Sequence, residues 1–118
     1  MIKLNRYLRN LGIDEKNFYF SKDDKRYIPD EDTGIPDSHL WDMSGALAMI
    51  IYTYLMRYKE YKRMGYPAFI TEDKWESILD DMIKGFASII KGEESKRAFK
   101  KQKRALALFK TYFFSLGD

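Results

Sequence analysis

The 118-residue chain has no cysteine and a single histidine, His39. Disulfides, thiolate metal sites and cysteine nucleophiles are thereby excluded, and nothing argues for an oxidising compartment. A long apolar run is lacking as well. The longest uncharged stretch, Met43 to Met56, lies between Asp42 and Arg57 and falls short of the roughly 20 residues needed to span a bilayer. It reads as a buried helix, so no membrane association is expected. The charged, amphipathic stretch Met1 to Asn10 does not read as a signal peptide, and a cytosolic protein is the expectation. What is present is material for one core: 45% hydrophobic and 16% aromatic residues suit a single helical domain over residues 1–118.

Hydrophobic periodicity assigns most of the chain to helices. Leu4, Tyr7, Leu8 and Leu11 precede Gly12 and make a short first helix. Residues 13–38 form an irregular arm, with a hairpin over "NFYFSKDDKRYI" as the minority alternative. Leu47, Ile50, Ile51, Tyr54, Leu55, Tyr58 and Tyr61 then trace a helix face, and Gly65 and Pro67 supply the stop. This helix is also apolar on its opposite side, at Ala46, Met49, Thr53 and Met56, which suits a central position in the fold or a subunit interface. Thr71 caps the next helix, which carries Glu72 and Asp73 in its first turn and Trp75, Ile78, Leu79, Met82, Ile83, Phe86 and Ile90 on one face, and ends at Lys91-Gly92. The last runs from about Glu93 to Leu116, with Ala98, Phe99, Ala105, Leu106, Phe109, Tyr112, Phe113 and Leu116 inward. The fold expected is all-α: a small antiparallel bundle of three long helices plus the short amino-terminal one.

The stretch "PDSHLWDMSG", residues 36–45, gathers His39 with two serines and two aspartates. A nucleophile and its base must meet in space, whereas Asp37, Ser38 and His39 are backbone neighbours. The favoured reading is a helix start, with Asp42 as N-cap, Trp41 stapling onto the first turn and His39 on the surface without a role in chemistry. The acidic row Glu72, Asp73, Glu76 and Asp80 reads as a solvated face, and no metal spacing or cofactor motif is visible. The strongest local signal is six cations in nine residues, Lys96 to Arg104, with no acid among them. Lys96, Arg97, Lys100, Lys101 and Arg104 are the candidate ligand-binding residues, with phosphate as the target; the alternative is a solvated face paired with Glu76 and Asp80. Trp75, Phe109 and Tyr112 are read as structural, and self-association is expected from the heavily apolar helix after Asp42.

Three stretches, "WDMSGALAMIIYTYLMRYKEYKRMGYP", "ITEDKWESILDDMIKGFASI" and "RALALFKTYFFSLGD", together resemble a family of small helical proteins from tailed bacteriophages. The matching positions are Trp41 and Asp42, Gly65 to Pro67, Thr71 with Trp75, Asp81 to Ile83 with Phe86, and Leu106, Leu108, Phe109, Tyr112 and Phe113. The chain departs from the family at Ser44-Gly45 and at Gly117. The resemblance implies a non-enzymatic accessory protein acting in the host cytoplasm on a host protein or a phosphate-containing small molecule. Its sharpest version is counter-defence, by inhibiting an immune effector or sequestering a nucleotide messenger. A nucleic-acid-binding protein using the basic helix is the second hypothesis.

Overall fold

The computed structural model describes residues 2–18, 28, 30–61 and 65–117. The elements are α1 (Arg6–Asn10), α2 (Asp37–Trp41), α3 (Met43–Glu60), α4 (Glu72–Ile90) and α5 (Lys96–Tyr112), followed by a 3₁₀ turn over Phe113–Ser115. The fold is all-α, with no strand among the described residues. The hairpin considered for residues 17–28 falls mostly on residues 19–27, which lie outside the described set.

Local chemistry explains where the helices start. Asn5 accepts from the Tyr7 and Leu8 amides at 3.1 and 3.2 Å, and Asp42 accepts from the Gly45 amide at 3.2 Å. Thr71 accepts from Lys74 at 3.2 Å and Ser95 from Ala98 at 3.0 Å. Each side chain satisfies a backbone donor that the first turn leaves unpaired. Asp42 and Thr71 are the caps the sequence indicates. At Ser95 the helix begins three positions later than the periodicity alone suggests. At the far end of α4, Gly92 takes φ +66° and the Gly92 and Glu93 amides bond back to Ile89 and Ser88, closing the helix where Lys91-Gly92 predicts.

The middle of the fold is α4, which packs against both α3 and α5, whereas those two helices do not pack on each other. Of the two positions that suit the apolar helix after Asp42, a central place in the fold or a subunit interface, the central place is therefore taken by α4 instead. Trp75, Leu79, Met82 and Phe86 of α4 are 2% exposed or less and form the centre of the core. The α4–α5 contact is set by small residues. A Cβ on Gly85 would lie 2.5 Å from the Lys101 carbonyl oxygen and would collide with the Ala105 methyl. The backbones therefore approach closely along Gly85, Ala98 and Ala105, and this approach fixes how α5 is turned. Phe99, Leu106 and Phe113, expected inward, are 45%, 52% and 51% exposed because the alanines occupy the contact line. In α3 the buried residues are Gly45, Ala46, Ala48, Met49, Tyr52 and Leu55, while Met43, Leu47 and Tyr54, with Tyr61 just past its end, face solvent.

Gly85→Ala gains helix propensity of about 1 kcal/mol. It must also push apart two backbones, and overpacking of this kind costs about 1–3 kcal/mol. Because the obstacle is a carbonyl rather than a flexible side-chain end, net destabilisation is expected. Urea unfolding of the variant should show a lower midpoint at unchanged slope; an unchanged or raised midpoint would contradict the close approach.

Candidate functional site

Since α3 and α5 both pack on α4 and not on each other, a groove remains between them. It has a volume of about 260 Å³. One wall is Ile50, Ile51, Tyr54 and Tyr58 of α3, with Leu55 deeper, and the other is Phe109 and Leu116. The end of the chain is tied across it where the Gly117 amide donates to the Tyr58 hydroxyl at 3.1 Å. An aromatic row continues from the floor to the rim: Phe86 meets Phe109 edge-on at 5.6 Å, Phe109 meets Phe113 at 5.4 Å, and Phe113 meets Phe114 at 5.4 Å. Phe114 is 90% exposed at the outer end of that row. Apolar side chains gathered this way on a surface mark interaction sites rather than scatter.

The helix segments that supply the walls carry few acids. From Met43 to Lys59, and again from Ser95 to Gly117, there is no acidic residue. The first acid on the α3 side, Glu60, bonds to Arg6 at 2.8 Å. The Tyr7 hydroxyl, with the Arg6 guanidinium beside it, holds the Glu60 carboxyl below the usual carboxylate range. At about 100° per residue, Lys103 and Lys110 follow Phe99, Leu106 and Phe113 around α5, so cations border the exposed apolar stripe.

The sequence-predicted binding residues divide into two sets. Arg104 bonds Asp81 at 2.9 Å, and Lys101 approaches Glu93 at 4.0 Å, so both are engaged within the fold. The acids involved are not the Glu76 and Asp80 expected, since Asp80 pairs with Lys59 of α3. Lys96, Arg97 and Lys100 are exposed and make no ion pair among the described residues. A shallow hollow of about 450 Å³ near the start of α5 holds Arg97 and Lys101, but Glu93 and Glu94 share it and offset their charge. The Ser88 hydroxyl, with Lys101 a lesser influence, keeps the Glu93 carboxyl ionised below its ordinary range. No group of three or more histidine, cysteine or carboxylate side chains converges among the described residues.

Of the residues read as structural, Trp75 and Tyr112 meet edge-on at 5.7 Å in the core, and Phe109 forms the groove wall. Trp41 is corrected: it is 77% exposed and staples nothing, because α2 ends there and Asp42 turns the chain into α3. His39 is corrected too. It lies within α2 with 6% exposure, beside Ser38 at 5%, rather than on the surface. The groove itself was missed at the sequence level, although the double-sided apolarity of α3 is its signal. No helix of the described residues is long and apolar enough to cross a membrane. Comparison with protein-family models, curated proteins and solved structures finds no match.

Burial changes what His39 should do. His39→Ala removes a buried side chain and is expected to cost about 1–3 kcal/mol, at least as much as the roughly 1 kcal/mol lost with the cap in Asp42→Ala. Chemical denaturation of both variants checks this; a His39→Ala protein as stable as the parent would contradict the packing of α2.

Proposed function

We propose that the chain is a non-enzymatic interaction protein that binds a partner protein through the outer face of α3 and the groove beside it. The observation that carries this reading is the solvent-facing row Met43, Leu47, Tyr54 and Tyr61, each about half exposed or more, on a helix whose other side is already in the core. Fully burying a large apolar side chain contributes about 1.5–3 kcal/mol, so three or four such residues can anchor a partner once the cost of association is met. The likeness to tailed-phage proteins supports an accessory factor acting on a host component in the host cytoplasm. Between the two counter-defence versions, inhibition of an immune effector fits better than a nucleotide sponge, because the groove lining offers no cation to hold a phosphate and its polar groups are limited to the Tyr54 and Tyr58 hydroxyls.

The basic helix supports a second reading, nucleic-acid association, on the exposed and unpaired state of Lys96, Arg97 and Lys100. Phosphate binding of that kind weakens steeply with salt.

Site-specific photocrosslinking in a bacterial cytoplasm separates the two. A benzophenone amino acid in place of Tyr54 or Leu47 should give discrete protein adducts, and the same group in place of Lys84, on the solvated side of α4, should not. Adducts only from positions 96 and 100, or nucleic-acid adducts that disappear at high salt, would replace the first reading with the second.

A further inference from the structure

Resting on the reading of the groove as a docking surface, we infer that its occupant is an amphipathic helix of a partner protein with acidic residues flanking its apolar stripe. The groove runs between two helices that lie on a common third, with apolar walls joined at Tyr58 by the bond from the Gly117 amide. That is the space a helix fills when it lays its apolar face into a groove, with anchors at i, i+3, i+4 and i+7. At about 260 Å³ it accommodates a few apolar side chains rather than a whole drug-sized ligand, whose sites run from about 300 to 1,000 Å³ and include convergent polar groups.

Charge selects the acidic helix. Both walls come from segments without a single acid, and Lys103 and Lys110 stand next to the exposed stripe of Phe99, Leu106 and Phe113. Neither lysine has an ion-pair partner among the described residues. A basic helix laid here would meet Lys103 and Lys110 along the α5 side, whereas Arg57 and Lys59 on α3 are already paired with Glu60 and Asp80, and like charges across an interface select against a partner. A second copy of the chain is a poor occupant for the same reason. Groove to groove, it would bring another pair of acid-free walls. Of its acid-rich segments, Glu72, Asp73, Glu76 and Asp80 lie on α4, where the apolar residues needed to anchor them are already buried, and Asp30, Glu31, Asp32 and Asp37 fall outside any helix long enough to carry anchors at i, i+3, i+4 and i+7.

Two labelled peptides of about 18 residues test this by fluorescence anisotropy against the full chain. Both carry leucine at i, i+3, i+4 and i+7, and they differ only in having glutamate or lysine at the flanking positions. The glutamate peptide should bind about tenfold more tightly at low salt, with the difference shrinking as salt is raised. In Lys103→Glu/Lys110→Glu, checked for intact helicity by circular dichroism, the preference should reverse. Equal binding of both peptides, abolished by Tyr54→Glu, would overturn the acidic preference and leave the groove as the docking surface. Binding of neither peptide, or binding indifferent to Tyr54→Glu, would overturn the groove reading itself. Light scattering that shows a dimer dispersed by Tyr54→Glu would assign the groove to a second copy and refute the inference.

Discussion

The close approach of α4 and α5 decides how α3, α4 and α5 share the core. Gly85 lets the α5 backbone come against α4 at Lys101 and Ala105, drawing Ala98 and Ala105 into the contact line. Dispersion gains accumulate along such a line because many atoms meet at short range. With one side of α4 taken by α5 and another by α3, the core of Trp75, Leu79, Met82 and Phe86 is sealed. Everything apolar beyond that line is left outside it. Leu47 and Tyr54 on one helix, and Leu106 and Phe113 on the other, are the remainder.

That remainder has the features of a binding surface because it is concave and apolar, with the unpaired Lys103 and Lys110 along its α5 side. Among the described residues, none of the amino-terminal segment lines the groove. It packs on α3 elsewhere, through Asn5 to Thr53 and Arg6 to Glu60. The charged exterior of α4 and the ion pairs Lys59 to Asp80 and Arg104 to Asp81 lie at exposed or half-exposed positions, where such pairs add little stability. Their effect is to engage Asp80 and Asp81 and leave the outlying lysines of α5 uncompensated.

Much of the helical skeleton was legible in the sequence because helix starts and stops are local events. Asp42, Thr71 and Gly92 carry their signals within a turn of the boundary they set. Which way a helix is rotated is not local. In α3 both sides are apolar, so periodicity offers two answers, and the choice falls to Ala46 and Ala48, small enough to pack inward while Leu47 and Tyr54 turn out. In α5 the same competition sets Ala98 and Ala105 against Phe99 and Leu106; the larger side chains carry the stronger sequence signal and lose to the closer approach. The partners of the basic residues were displaced similarly, from Asp80 to Asp81 for Arg104, since register between two helices is invisible in either alone. His39 looked like a surface residue because a five-residue helix, α2, gives no periodicity from which burial can be read.

The absence of cysteine allows the rotation of α3 to be measured directly, through the rate at which a single introduced thiol reacts with a maleimide under native conditions. Tyr54 is 69% exposed and Tyr52, two residues earlier on the opposite side of the helix, is 5% exposed. The Tyr54→Cys thiol should therefore react at close to the rate seen in denaturant, and the Tyr52→Cys thiol far more slowly. The reverse order, or equal protection of both thiols, would contradict an α3 that presents its second apolar face outward to a partner.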